Sequence, residues 1–122
     1  MAKTIMVVDD SASLRQVVGI ALKGAGYDVL EACDGRDALN KLSGQKVHLI
    51  ISDVNMPNMD GITFVKEAKK KTEYRFTPVI MLTTEAGEDK KQAGQAAGAK
   101  AWVVKPFQPA QMLAAVQKLV LP

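Results

Sequence analysis

Cysteine and histidine are scarce in this chain, which has one of each, Cys33 and His48. One thiol cannot build an internal disulfide framework, and these two residues cannot supply the several thiolate or imidazole ligands of a zinc site. We interpret Cys33 as a small residue packed near the end of a strand rather than as a reactive thiol. The composition therefore argues against disulfide-stabilised and zinc-dependent proteins.

Long apolar runs are lacking as well. No stretch reaches the roughly 20 apolar residues that a membrane-spanning helix needs. The N-terminus shows no signal-peptide pattern before the first apolar run. These absences predict a cytoplasmic protein without membrane insertion.

Basic charge is only in mild excess, since the formal net charge is +3. The densest basic cluster, residues 69–71, falls at the end of a predicted helix, where lysines complement the helix dipole. We interpret it as a solvated helix end. The chain has neither a helix-turn-helix pattern nor basic strands with interleaved aromatic residues, so we expect no nucleic-acid partner.

Short runs rich in Val, Ile and Leu alternate with amphipathic segments along the whole chain. The apolar period predicts strands at residues 4–8, 28–32, 47–52, 78–82 and 101–104, and helices at about 13–25, 36–43, 61–71, 88–97 and 109–120. This pattern predicts an α/β fold of the (βα)5 type, a doubly wound, five-stranded parallel sheet with helices on both faces. No linker or repeat interrupts it, so we expect one domain over residues 1–122.

Charged side chains follow three of the predicted strands. Asp9 and Asp10 follow the first strand, Asp53 follows the third, and Lys105 follows the fifth. Because open α/β sheets bind ligands beyond the carboxyl ends of their strands, these residues predict one site. Three carboxylates there would repel one another, which favours a divalent cation and a lysine that answers added negative charge.

Structural roles compete with this interpretation at some of these positions. An aspartate pair before a helix is commonly an N-terminal cap, and Lys105 by itself could be a solvated surface residue. Asp53 is different because it follows the most apolar strand, where a buried charge without a partner is costly. Helix capping therefore does not explain Asp53.

The segment after Asp53 is rich in turn residues and supplies a further oxygen ligand. Asn55 could present its backbone carbonyl to a cation, and Asp60 is placed to cap the next helix. Mg²⁺ fits this set, because it prefers oxygen ligands, keeps several waters, and is commonly held by one or two carboxylates together with phosphate oxygens.

The residues quoted so far, with Thr83 after the fourth strand, resemble the receiver domain of two-component response regulators. The single-domain chemotaxis type is the most similar, and residues 52–61 and 103–107 are the most specific stretches. The resemblance covers the whole chain. It implies a flavodoxin-like fold with strand order 2-1-3-4-5. It also implies a signalling protein rather than an enzyme, although such a domain takes part in its own phosphorylation and autodephosphorylation.

The resemblance assigns a role to each residue of the acidic site. Asp53 would be the phosphoacceptor, whose carboxylate attacks the phosphoryl group of a phosphohistidine on a sensor kinase. Asp10, Asp53 and the Asn55 carbonyl would hold Mg²⁺, and Asp9 would act mainly through a metal-bound water. The ion would screen the approach of an anionic donor to an anionic nucleophile.

Two further roles concern the phosphoryl group and the signal that it starts. Lys105 would pair with phosphoryl oxygens, and the Thr83 hydroxyl would donate to another of them. In the family, this threonine moves and an aromatic residue on the fifth strand swings inward, which reshapes the surface of the fourth helix, fifth strand and fifth helix. Here that residue is Trp102, where chemotaxis relatives have tyrosine. Alternatively, Trp102 only covers the core.

Asn55 and Glu85 occupy the two positions that tune the lifetime of the phosphoryl group in the family. Their combination resembles the fast-cycling chemotaxis type. We therefore predict a short-lived phosphorylated state.

The resemblance also implies partners. We expect a monomer that is phosphorylated by a chemotaxis-type histidine kinase, with a dedicated phosphatase as a further candidate. Because no output domain is attached, we expect output through protein binding, with the flagellar motor switch as the first choice. The alternative is a stand-alone receiver of another chemosensory pathway, or a phosphate sink that does not act on the motor.

Three other classes of protein compete with this hypothesis. A flavodoxin-like flavin binder needs a hydroxyl- or glycine-rich phosphate loop after the first strand, where this chain has Asp9 and Asp10. A phosphatase of the haloacid dehalogenase kind expects a second aspartate two residues after its nucleophile, where this chain has Asn55. A pseudo-receiver that binds partners without phosphorylation is disfavoured by the full acidic set.

Overall fold

The structure is a computed structural model and describes residues 3–44, 46–54, 59–83, 99–104 and 109–120. Five strands form one sheet: β1 (Thr4–Val8), β2 (Asp28–Ala32), β3 (Leu49–Asp53), β4 (Val79–Thr83) and β5 (Ala101–Val104). Their order is β2-β1-β3-β4-β5, and all neighbouring strands are parallel. The predicted α/β class and the strand order 2-1-3-4-5 are confirmed.

Four α-helices are described: α1 (Ala12–Gly24), α2 (Gly35–Lys41), α3 (Gly61–Lys69) and the C-terminal helix (Pro109–Leu119). Their ends differ from the predicted ones by no more than two residues. The predicted helix over residues 88–97 lies outside the described residues. A 3₁₀ turn, Thr72–Tyr74, precedes β4 and is not predicted, because one turn is too short to show a helical period. Among the helices described, none combines the length and the apolar character needed to cross a membrane.

Polar side chains cap the helices by accepting hydrogen bonds from backbone N–H groups that have no partner within the helix. The caps are Ser11 Oγ with Leu14 N–H at 3.3 Å, Asp34 Oδ1 with Asp37 N–H at 2.8 Å, and Asp60 Oδ1 with Thr63 N–H at 2.7 Å. The predicted cap at Asp60 is confirmed. Ser11 rather than Asp10 caps α1, so capping does not account for Asp10.

Apolar layers cover both faces of the sheet, because successive side chains of a strand point to opposite faces. Met6 and Ile50 lie in the layer that packs against α2 and α3, whereas Ile5 and Ile51 lie in the layer that packs against α1 and the C-terminal helix. All four side chains are buried. With both faces covered, the edges at which the strands begin and end are the places open to ligands.

The end of β3 lies one residue later than predicted. Asp53 is the last residue of the strand and is in register with Leu82 of β4. The Val54 N–H continues the ladder by donating to the Leu82 carbonyl oxygen at 3.1 Å. The apolar pattern stops at residue 52 because a carboxylate interrupts it, although the backbone stays extended.

The exposure predicted for two side chains is wrong. Cys33 follows β2, but it is exposed rather than packed. Desolvation, followed by the neighbouring Asp37 carboxylate, raises the pKa of its thiol, which disfavours a reactive thiolate. Lys69 ends α3 as expected, yet it is half-buried and its Nζ donates to the Thr77 carbonyl oxygen. It is therefore not a simply solvated lysine.

Candidate metal centre

Three carboxylates come together where β1 and β3 end. These strands are neighbours in the sheet, with Val8 in register with Ser52, so the residues that follow Val8 lie beside Asp53. One oxygen each from Asp9, Asp10 and Asp53 lies within 4.8 Å of the others. Parallel pairing therefore joins residues that are more than forty positions apart in the sequence.

Burial differs sharply among the three carboxylates. Asp9 is 1% exposed and Asp53 is 6% exposed, whereas Asp10 is exposed to solvent. Two unit charges about 4.8 Å apart repel each other by roughly 3 kcal/mol at an effective dielectric constant of about 20. The buried pair, Asp9 and Asp53, therefore carries a repulsion that a cation would relieve.

Three hydrogen bonds hold Asp9, two with the backbone of other residues and one with the side chain of Arg15. Its N–H donates to the Ala32 carbonyl oxygen at 3.1 Å, and its Oδ1 accepts from the Ser11 N–H at 2.8 Å. Arg15 of α1 donates from Nη1 to the Asp9 carbonyl oxygen at 2.5 Å. These contacts fix the turn between β1 and α1 and so fix the direction of the carboxylate.

Asp53 is held by its own strand end. The Val54 N–H donates to Asp53 Oδ1 at 2.8 Å, and Ser52 Oγ donates to the Asp53 carbonyl oxygen at 2.9 Å. The hydrogen bond from the Val54 N–H fixes the orientation of the carboxylate at the sheet edge.

The donor set suits a hard divalent cation. All three groups offer carboxylate oxygen, which is the ligand type that Mg²⁺ prefers. Given metal–oxygen distances of about 2.1 Å, neighbouring oxygens of an octahedral Mg²⁺ are about 3 Å apart and opposite ones about 4.2 Å. Three oxygens within 4.8 Å of one another would therefore draw closer together to hold one such ion.

Sequence reasoning missed two residues that support this site. Arg15 links the Asp9 backbone to Glu31 of β2, with Nε 3.4 Å from Glu31 Oε1. Gly61 begins α3, and a Cβ atom there would clash with the Asp53 carbonyl oxygen. The glycine directly after the cap Asp60 was a usable signal, whereas nothing distinguishes Arg15 from any helical surface cation.

The other predicted site residues are described only in part. Thr83 is the last residue of β4, and Trp102 lies in β5 in register with Met81. Asn55, Glu85 and Lys105 lie outside the described residues. The structure thus brings together Asp9, Asp10 and Asp53 and places the backbone of Thr83 at the same edge of the sheet.

Comparison with known proteins gives this fold and acidic edge a family. The model of the response regulator receiver domain matches residues 5–117. The chain therefore belongs to the response regulator receiver family, and the family predicted from the sequence is confirmed. Receiver domains are signalling proteins that interact with histidine kinases and downstream targets.

Three known proteins show how similar this chain is to particular relatives. The structure of the Vibrio cholerae chemotaxis protein CheY4 superposes with a TM-score of 0.94 and 48% identity, covering 98% of this chain and 99% of that one. Protein PilG of Pseudomonas aeruginosa is 35% identical over 113 residues, which is 93% of this chain and 84% of PilG. The phosphate regulon regulator PhoB of Escherichia coli is 34% identical, and the match covers 98% of this chain and 52% of PhoB.

Proposed function

We propose that this chain is a chemotaxis-type response regulator that accepts a phosphoryl group on Asp53 in a Mg²⁺-dependent reaction in the cytoplasm. The observation that carries the proposal is the cluster of Asp9, Asp10 and Asp53 at the carboxyl edge of a receiver fold. The 48% identity with a chemotaxis protein supports the choice of pathway.

The reaction is an in-line transfer from a phosphohistidine. An oxygen of the Asp53 carboxylate attacks phosphorus, the phosphorus–nitrogen bond to the kinase imidazole breaks, and an acyl phosphate forms. The hydrogen bond from the Val54 N–H orients the carboxylate for this attack. Asp9, Asp10, Asp53 and the Asn55 carbonyl would hold Mg²⁺, which neutralises charge on the transferred group when it is bound.

Residues near the other strand ends complete the proposal. Lys105 pairs with phosphoryl oxygens, the Thr83 hydroxyl donates to another, and Trp102 changes rotamer as the signal leaves the site. Asn55 and Glu85 flank the path of the hydrolytic water and give the phosphoryl group a short lifetime. The domain takes part in its own dephosphorylation, and a dedicated phosphatase is a further partner.

Phosphorylation of Asp53 is tested with the purified protein, a small phosphodonor such as acetyl phosphate, and Mg²⁺. Wild type is expected to gain one hydroxylamine-labile phosphoryl group, measured by intact mass, and Asp53→Asn is expected to gain none. Asp28→Asn is the matched control, because Asp28 is an exposed carboxylate at the start of β2, on the opposite edge of the sheet. Equal labelling of Asp53→Asn and wild type would refute the assignment.

For the output, we propose binding to the flagellar motor switch through the surface that includes β5 and the C-terminal helix. Phosphorylated protein is expected to be captured by an immobilised motor-switch peptide, whereas Asp53→Asn is not. A receiver of another chemosensory pathway, or a phosphate sink, is the alternative. If phosphorylated wild type ignores the peptide while Trp102→Tyr binds it, the alternative is favoured.

A further inference from the structure

The edge of the sheet at which the strands begin carries basic side chains around an exposed aromatic ring. Lys46 and Thr77 lie in the connections that enter β3 and β4, and Lys100 directly precedes β5. A strand of five residues spans about 17 Å at roughly 3.3 Å per residue, so this edge is separated from the acidic site by the length of the sheet. We call it the amino-edge surface, and it comprises Lys46, Lys69, Arg75, Phe76 and Lys100.

Phe76 is the apolar centre of the amino-edge surface. Its side chain is 88% exposed, which is more than any other large apolar residue in the part of the chain that the structure describes. The Arg75 guanidinium carbon lies 5.8 Å from the centre of the Phe76 ring, within the range of a cation–π contact. Burial of an exposed phenyl ring by a partner contributes favourably to the free energy of binding.

Two concave spaces meet at Phe76. One cavity of about 450 Å³ is lined by Lys46, His48, Glu73 and Phe76, among others. A second of about 390 Å³ is lined by Lys69, Arg75, Phe76 and Lys100. A partner that covers the ring can therefore place side chains on both sides of it.

The side chains that line these cavities are mostly positively charged. Four cations line them, namely Lys46, Lys69, Arg75 and Lys100, against one carboxylate, that of Glu73. Among the described residues, the ion pairs involve other side chains: Arg15 with Glu31, Lys41 with Asp37, and Lys70 with Glu67. Burial and the charge of Lys100 lower the pKa of Lys69, as expected where cations crowd together.

The backbone beneath Phe76 is well held. Tyr74 is buried, its hydroxyl accepts from the Gly44 N–H at 3.0 Å, and its carbonyl oxygen accepts from the Thr77 N–H at 3.1 Å. Lys69 Nζ donates to the Thr77 carbonyl oxygen. The turn that exposes Phe76 is thus anchored on both sides, which lowers the entropy cost of binding.

We propose that the amino-edge surface binds an acidic peptide segment of a partner protein, with an apolar side chain of that segment packed on Phe76. Charge complementarity selects acidic residues, and the paired cavities favour a peptide over a flat lipid surface. One exposed phenyl ring is also a weak membrane anchor, because stable anchoring generally needs more than one signal. This binding does not depend on the phosphorylation proposed for Asp53.

The test uses a fluorescent dodecapeptide of alternating glutamate and leucine and measures binding by anisotropy in low salt. Wild type is expected to bind it, and binding is expected to weaken as salt screens the charges. Phe76→Ala and Arg75→Glu are expected to weaken binding about tenfold or more, as truncation of a central contact commonly does. Both side chains are exposed, so these variants should fold, which thermal unfolding verifies.

Matched controls separate this proposal from general attraction and from the proposed function. Arg36→Glu makes the same charge change at an exposed position at the start of α2, near the other edge of the sheet, and is expected to bind like wild type. Asp53→Asn is expected to bind the peptide equally well, so failure of phosphorylation leaves this proposal standing. Absence of binding, unchanged binding by Phe76→Ala, or tighter binding to phosphatidylglycerol vesicles or single-stranded DNA would overturn it.

Discussion

At the scale of single residues, the acidic site depends on the absence of a side chain as well as on carboxylates. Gly61 packs the start of α3 directly on the backbone that carries Asp53. Its N–H donates to the Val54 carbonyl oxygen at 2.8 Å, which closes the loop between β3 and α3. A methyl group at position 61 would have to push this backbone aside.

We expect Gly61→Ala to destabilise the protein by about 2 kcal/mol or more, since overpacking a tight site typically costs about 1–3 kcal/mol. The atoms nearest to a Cβ there would be the carbonyl oxygen and carbon of Asp53, which are backbone atoms, followed by Cε of Met81. Urea unfolding measures the change. Gly24→Ala is the control, because no atom lies within 4 Å of its added Cβ.

The control is expected to be neutral or to stabilise the last turn of α1 by up to about 1 kcal/mol, as alanine for glycine does in helices. If Gly61→Ala were as stable as Gly24→Ala, the close packing of α3 on Asp53 would be wrong. A destabilised Gly61→Ala that also loses phosphorylation would show that this packing orients the nucleophile.

At the scale of elements, His48 joins the amino ends of β1 and β3. The Thr4 N–H donates to His48 Nδ1 at 3.0 Å, and the His48 N–H donates to the Thr4 carbonyl oxygen at 2.8 Å. Nδ1 must be unprotonated to accept this bond. Burial, and then the charges of Lys3 and Lys46, lower the pKa of His48 from its ordinary 6.5.

The sign of the pH dependence follows from this lowered pKa. The unfolded chain binds a proton on His48 at a higher pH than the folded chain, so stability rises with pH between the two pKa values. The contribution is complete above pH 6.5 and is lost as the pH falls through the folded pKa. We expect a lower urea midpoint at pH 5.5 than at about pH 7.5.

His48→Gln removes the titrating group and is expected to flatten this part of the profile. The Asp37 carboxyl has a lowered pKa because the Cys33 N–H donates to it, and it affects stability only as the pH falls below its ordinary 3.8. Its window therefore lies below the interval from about pH 5.5 to about pH 7.5 over which the midpoints are compared. An unchanged slope in His48→Gln would contradict the role given to the imidazole.

At the scale of the whole molecule, the two edges of the sheet have opposite charge. Asp9, Asp10 and Asp53 make the carboxyl edge negative, whereas the amino-edge surface is positive. The sheet itself is covered on both faces and leaves these edges as separate places for ligands. Occupation of either edge by a ligand that binds only the folded chain must raise its stability.

We expect Mg²⁺ to raise the thermal midpoint by several degrees. A ligand at about 100 times its dissociation constant adds about 2.7 kcal/mol when it binds only the folded state. Calorimetry with and without Mg²⁺, with NaCl at matched ionic strength, separates binding from screening. Asp10→Asn is expected to lose most of this response, whereas Asp28→Asn is expected to keep it.

Without Mg²⁺, Asp10→Asn is expected to be at least as stable as wild type, because it removes one of three mutually repelling carboxylates. Removal of the ion is therefore expected to lower the thermal midpoint of wild type and of Asp28→Asn, and to leave that of Asp10→Asn nearly unchanged. An equal Mg²⁺ response in wild type and Asp10→Asn would place the ion elsewhere.

The periodic apolar pattern was sufficient to predict the described strands and α-helices, and the charges at the strand ends predicted much of the acidic site. Residues 5–8 alternate between two buried layers, and the sequence pattern predicted the ends of each described α-helix to within two residues. Asp53 stood out from the sequence because a charge after an apolar strand requires a specific reason. The family resemblance added the strand order, which no local pattern contains.

Contacts between distant segments were decided only by the tertiary structure. The close packing of Gly61 on the Asp53 backbone, the exposure of Cys33 and the partial burial of Lys69 depend on which elements meet. The cations around Phe76 come from four separate places in the chain, so no local segment showed their cluster. Sequence by itself determined the elements and the chemistry at their ends, because periodicity and charge are local. Only the packed sheet decided which side chains at those ends contact one another, because such contacts depend on long-range pairing and packing.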